Sequence, residues 1–219
     1  WYFVLEPILS GKSDSFDPRM TLMACCITLW GVRLTYNYAR KGGYGWKHED
    51  YRWVVVRKKM GFVLFQILNA TFVAVIQNVI NLWCITPIYL AWLYHGTPLN
   101  TMDYVAAALF STFFLIEAVA DQQQWNFHQM KRRHNNKVVP GFIHTGLFRY
   151  SRHPNFFGEM SLWWSFYLFS FAVTNPNLAS YQSLFNWTGI GALCLTGLFQ
   201  GSTTLTEQIS ASKYPEYKE

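Results

Sequence analysis

The sequence predicts an all-α, polytopic transmembrane helix bundle with about five spans, preceded by part of an earlier one. Three observations predict it. Of the 219 residues, 51% are hydrophobic and 19% aromatic, while only 14% carry charge; a water-soluble domain carries about 25%. Several apolar stretches reach the roughly 20 residues needed to cross about 30 Å of hydrocarbon. The remaining charge is gathered, with 13 of the 18 Lys and Arg in two loops, 40–59 and 131–152.

The elements follow in order. "WYFVLEPILS", from Trp1, reads as the tail of an earlier membrane segment rather than a charged, cleavable signal, so residues are expected ahead of it. After the polar loop "GKSDSFDPRM", a first complete span covers 20–38. The long apolar run 60–94 fits an interfacial helix joined to a span, one tilted helix, or a tight pair. A single crossing with a kink at Pro87 is the preferred reading. It puts both basic loops on one side, which positive-inside makes cytoplasmic or its organellar equivalent. Further spans are expected at 102–124, 154–174 and 184–206, within one domain covering 1–219.

Several function classes fall away. The opposite loops hold only Lys12 and Arg19, so the net charge of +6 reflects one membrane face and not a surface for nucleic acid. Attraction to anionic headgroups would account for that charge without an enzyme. Cys25, Cys26, Cys84 and Cys194 lie in apolar runs without CxxC spacing, which argues against disulfides and zinc. His48, His128 and His144 read as loop or surface residues, and no metal is expected. Gly42, Gly43 and Gly45 follow no strand, as a Rossmann site would require. The sequons at Asn69 and Asn186 lie in an apolar run and against a membrane end, and are discounted. Gly197 and Gly201 form GxxxG, expected to pack closely on a neighbouring helix.

Acids at membrane depth carry the functional signal. A carboxylate near the bilayer centre costs on the order of 3 kcal/mol on insertion scales, so Glu117, Asp121, Glu159 and Glu207 are expected to face the protein interior. Glu117, Asp121 and Gln124 fall at i, i+4 and i+7, with Gln123 and His128 nearby, and Asn155 and Glu159 at i and i+4. Two helices thus each offer a polar stripe at the basic end. In "GLFRYSRHPNFFGEMSLWW", Pro154 suits a first helical turn, and Ser151, Arg152 or His153 leads into free backbone donors that attract anions. Arg149, Arg152, Lys131, Arg132 and Arg133 would add charge-assisted bonds to phosphates. The plainer reading is snorkelling cations, with Trp163 and Trp164 as interfacial aromatics.

"GLFRYSRHPNFFGE" followed by "LWWSF" resembles the C-terminal signature of the steroid 5-alpha-reductase superfamily, most closely its DUF1295 branch. "WGVRL" at 30–34, Arg40, "EDYRW" at 49–53, "ADQQ" at 120–123 and "TEQISASKYPEY" at 206–217 extend the resemblance over nearly the whole chain. It implies a C-terminal half that wraps a nucleotide: NADPH in the reductases, S-adenosylmethionine in the related isoprenylcysteine carboxyl methyltransferases. Asn155 and Glu159 match residues at the nicotinamide end, and Asp121 matches a polar residue of the same pocket. Arg132 or Arg133 resembles an arginine that reaches the phosphates, and Tyr214 and Tyr217 would close over the cofactor. Gln124, Arg149, Arg152 and His153 join this cofactor-binding set from the polar stripe and the anion trap.

The implied reaction is hydride transfer from NADPH to the β-carbon of a conjugated enone in a hydrophobic small molecule. An acid must then stabilise the carbonyl oxygen and a proton must reach the α-carbon. Tyr36 and Tyr38 are the candidates for that acid; the glutamate that steroid 5-alpha-reductases use from their N-terminal half has no match. The lipid bilayer is the expected surrounding, in the endoplasmic reticulum first and a mitochondrial membrane second. Two alternatives stand beside this reading: an S-adenosylmethionine-dependent membrane methyltransferase, and a non-catalytic subunit contacting partners in a membrane complex.

Overall fold

Helices begin at Pro18, Tyr51, Pro87, Thr101 and Pro154, where the sequence supplies a capping side chain or a proline. The computed structural model describes residues 2–9, 17–46, 50–135, 138–174 and 185–218; Lys12, His48, Glu49 and residue 184, all used above, lie outside them. Among the described residues every regular element is helical. After α1 (Tyr2–Leu9), α2 (Pro18–Arg40) opens with a proline in its first turn, and the Asp17 carboxylate accepts from Met20 N at 2.9 Å. Asp50 caps α3 (Tyr51–Met60) the same way, accepting from Arg52 N at 2.9 Å. Gly61 ends α3 at φ 77°, a left-handed conformation that glycine reaches without a Cβ penalty.

The long apolar run then forms one rod, α4 (Phe62–Leu68), a π-helical stretch (Asn69–Ile76) and α5 (Gln77–Cys84), followed by α6 (Pro87–Leu93). The break falls just ahead of Pro87, which has no N–H to continue the hydrogen-bond ladder and whose ring crowds the preceding turn. A capping box of Asn100 and Asp103 starts α7 (Thr101–Arg133). A 3-10 turn (Gly146–Arg149) leads to α8 (Pro154–Thr174), another (Trp187–Gly189) to α9 (Ile190–Lys213), and a third (Pro215–Lys218) closes the chain.

Two rods, Phe62–Cys84 and Thr101–Arg133, are long and apolar enough to cross a membrane, with only 11% and 22% of their most apolar windows buried. A soluble core helix would bury most of that surface; these present it outward. At 1.5 Å per residue α7 is about 50 Å long, more than a bilayer core requires, and its surplus is the polar end. The central helix is α8, with 12 of 21 residues buried. It lies along α7 and also packs on α6 and α9.

Glycines set the closest approaches. A Cβ on Gly158 of α8 would meet the Glu117 Cβ at 2.9 Å and its backbone N at 3.1 Å, so α7 and α8 touch there through lack of a side chain. Gly191 likewise seats α9 against the backbone of Trp83 and Cys84. Gly197 and Gly201, expected to do this, are exposed with nothing within 4 Å. The contact of α9 is made earlier in the helix, at Gly191, Ala192 and Leu195, and the GxxxG face points outward. The last helix also differs in extent from the expected 184–206, starting at Ile190 and running to Lys213. The sequon residue Asn186 is engaged internally, donating to Ser170 Oγ at 3.0 Å and accepting from Thr188 N at 3.1 Å.

The two ends of the bundle are closed differently. Arg19, expected as a loop charge, is 1% exposed. Its Nε and Nη2 meet the Asp103 carboxylate at 2.7 and 2.8 Å, Nη1 donates to Thr97 Oγ1, and Nη2 also donates to Pro98 O. At the other end, Arg52 donates to Ser202 Oγ at 2.9 Å, Lys131 to the Tyr214 hydroxyl at 2.6 Å, and Arg152 approaches Glu207 at 3.8 Å. These contacts gather the start of α3, the ends of α7 and α9 and the lead-in to α8, so both basic loops share one end.

Candidate functional site

The buried face of α2 carries Met20, Met23, Ala24 and Cys26, and then, in the same register, Arg33 and Asn37. Helical spacing therefore turns a guanidinium inward at the level where α7 presents Glu117 and Asp121 and α8 presents Glu159. Arg33 Nη2 lies 2.5 Å from Glu117 Oε1 and 3.3 Å from Glu159 Oε2, and Nη1 lies 2.7 Å from Asp121 Oδ2. All four side chains are at least 88% buried, the most exposed being Glu159 at 12%. Gly158 makes this meeting possible by bringing the α8 backbone onto Glu117.

Neutral donors complete two of the three acids. Asn37 Nδ2 donates to Asp121 Oδ2 at 2.7 Å. The Trp30 and Trp163 indoles, edge-to-face at 4.9 Å, donate to Glu159 Oε1 at 3.0 and 2.9 Å. With Trp30 also 3.1 Å from Oε2, the acceptor capacity of Glu159 is largely used from within. Glu117 Oε2 and Arg33 Nε, both buried, have no hydrogen-bond partner. Arg40 extends the network toward the basic end, donating to Gln122 Oε1 at 2.7 Å and to Asp121 O at 3.3 Å between the rings of Tyr36 and Trp125.

A cleft of about 340 Å³ opens beside the start of α8, lined by Ser151, Arg152, His153, Phe156, Phe157, Met160, Gln200, Thr203 and Glu207. The His153 ring stacks on Phe156 at 5.1 Å, and its Nε2 lies 3.3 Å from Glu207 Oε1. Burial pushes the His153 pKa down; Glu207 partly offsets this, and the net direction is downward. At the rim, Arg152 sits over the Tyr217 ring at 4.9 Å, and Tyr217 meets Phe142 edge-on at 5.1 Å. Lys131 bridges the Tyr214 hydroxyl and Gly141 O, both at 2.6 Å. Burial raises the Tyr214 hydroxyl, but Lys131 and Lys213 outweigh it and hold it below its ordinary value.

The sequence-predicted residues thus separate into groups. Asp121 and Glu159 meet in the Arg33 cluster; Arg152 and His153 line the cleft; Tyr214 and Tyr217 form the strap of the tail. Asn155 and Gln124 are half-buried, with no side-chain hydrogen bond among the described residues, and Arg132, Arg133 and Arg149 are exposed. Tyr36 and Tyr38 are 61% and 46% exposed and neither joins the cluster nor lines the cleft. Arg33 and Glu117, which organise the cluster, stand outside the catalytic and cofactor-binding sets read from the sequence, although Glu117, expected to face the interior on the polar stripe of α7, does so. The signal for Arg33 was its position seven residues after Cys26, a cation on the buried face of a span and therefore in need of acids.

Comparison with known proteins places the chain among relatives without assigning it an activity. A family model described as "protein of unknown function (DUF1295)" matches residues 2–219. An uncharacterized protein of Schizosaccharomyces pombe is 43% identical over 215 residues, 91% of this chain and 60% of that protein. The chain therefore spans 60% of the length of the curated relative it matches. No solved structure matches.

Proposed function

Since the chain belongs to the DUF1295 family, we propose that it is a multi-pass membrane domain of the steroid 5-alpha-reductase superfamily that uses NADPH to reduce a conjugated C=C bond in a lipid or steroid-like molecule. Its expected seat is the endoplasmic reticulum membrane, with the basic end toward the cytoplasm. The lengths of α2, the Phe62–Cys84 rod, α7, α8 and α9, from 21 to 33 residues, support about five crossings.

One observation carries the reading. Asp121 and Glu159, which hold two separate positions of the resemblance, converge on Arg33 within a helical turn of Phe156 and Met160, which line a cation-rimmed cleft. The residues there fit a phosphate-bearing nucleotide. Arg152, Ser151, Gln200 and Thr203 would hold phosphate or ribose oxygens, Phe156 and Phe157 offer walls to a ring, and Arg149 adds a cation nearby. The volume is at the small end for ligand clefts, which suits one end of a dinucleotide. Bound there, NADPH would supply the hydride. The chain's own part is to fix the nucleotide, exclude water with its apolar walls and keep buried acids close to the reacting end.

The Glu207 carboxylate in the same cleft favours one second reading, a site for the cationic sulfonium of S-adenosylmethionine. Thermal unfolding of the detergent-solubilised chain with each cofactor separates the two. NADPH is expected to raise the midpoint by mass action, and Arg152→Ala and Asn155→Ala to reduce that rise. A shift with S-adenosylmethionine alone would overturn the reductase reading.

A further inference from the structure

Carboxylates outnumber cations where α2, α7 and α8 meet. Glu117, Asp121 and Glu159 all contact Arg33, so three acids and one guanidinium sum to a net charge of −2 if every acid is ionised. Asp121 and Glu159 are furnished as ionised acceptors are, by Asn37 and by the two indoles in addition to Arg33. Glu117 is not. Its side chain is 7% exposed, its Oε1 sits on Arg33, and its Oε2 is buried with no donor. The Glu159 carboxyl shares Arg33 Nη2 with it, Glu117 Oε1 lying 2.5 Å and Glu159 Oε2 3.3 Å from that nitrogen. Two ionised carboxylates that share one donor repel strongly where water is excluded.

We propose that Glu117 and Glu159 hold a single proton between them, which makes this junction a buried proton-binding site. A hydrogen on Glu117 Oε2 makes the buried, donor-less oxygen a donor and leaves one charge, not two, on the carboxyls that share Arg33 Nη2. It also halves the uncompensated charge beside Arg33. The groups facing the pair are Arg33 from α2, Asp121 one turn along α7 and, from α5, the Cys84 thiol beside Glu159. Arg40 and Lys41 lie on the Asp121 side of the junction, Arg40 donating to Asp121 O at 3.3 Å, and among the described residues Arg33 is the one cation at ion-pair distance from Glu117 or Glu159. The proton is held with or without a nucleotide, so the proposal stands apart from the reductase reading.

Infrared spectroscopy of the whole chain in detergent at neutral pH, without cofactor, tests it. The wild type is expected to show a protonated-carboxyl stretch that shifts on deuteration and on 13C labelling of glutamate. That band should vanish in Glu117→Gln and persist in Glu216→Gln, a change in the exposed tail. Should Glu117→Gln fail to fold, Glu159→Gln serves, since an amide facing Glu117 removes the like charge and the band should again be lost. A wild type without the band, a band unmoved by labelled glutamate, or one that survives in the folded Gln variant would overturn the assignment.

Discussion

The bundle buries two arginines, and it treats them in opposite ways. Arg19 has one acid, Asp103, and every nitrogen of its guanidinium donates, to Asp103, Thr97 or Pro98. Arg33 has three acids and an unpartnered Nε. A balanced, fully bonded pair is a way to close the end of a bundle. An excess of buried acid does not improve stability, because each added carboxylate loses its hydration and repels the others. Buried acid in excess of its cations is a pointer to a functional site, and for that reason the proposed function rests on the Arg33 cluster and not on the Arg19 clamp.

The largest expected effect puts this contrast at risk. Arg33→Met and Arg19→Met should each lower unfolding free energy by about 3–5 kcal/mol, measured by chemical denaturation in detergent, because each strands buried charge. Restoring balance should distinguish them. Arg19→Met with Asp103→Leu should recover most of the loss, whereas Arg33→Met with Asp121→Leu should not, since Glu117 and Glu159 stay uncompensated. Equal recovery in the two double variants would mean that the sites do not differ as described.

A smaller effect sharpens the account of how the acids are brought together. Gly158→Ala forces a methyl group against Glu117 and should cost about 1–3 kcal/mol. Gly197→Ala, with open space around it, should be neutral or stabilising by up to about 1 kcal/mol. The midpoints of thermal unfolding compare them directly.

The smallest effect concerns the rim. Burial disfavours the charged form of His153, Glu207 offsets only part of this, and the pKa lies below the ordinary histidine value. The unfolded chain therefore binds that proton more tightly. The contribution of His153 to stability is fully present above pH ~6.5 and is lost as pH falls from there through the lower, folded-state value. Plotted against pH, the midpoint difference between wild type and His153→Gln should narrow on acidification.

Much of this was legible locally. Pro154 at the start of α8, the break ahead of Pro87 and the i, i+4 stripes of Glu117 with Asp121 and of Asn155 with Glu159 depend on residues a turn or two apart, and local rules govern them. The GxxxG of α9 was misleading because spacing shows that a helix has a small face without showing which way it turns. Tyr36 and Tyr38 share α2 with Arg33, yet a rotation of a few residues about the helix axis leaves them exposed while the guanidinium is buried.

By itself the sequence determined that the chain is helical, that its charge collects at one end, and that acids lie at depths where they are costly. Only the tertiary structure decided that three of those acids share Arg33 and that one of them keeps an oxygen without a donor. The physical reason is that hydrophobic periodicity orients each helix toward the interior, whereas the pairing of charges across helices depends on their azimuth, their vertical register and a single glycine that lets two backbones touch.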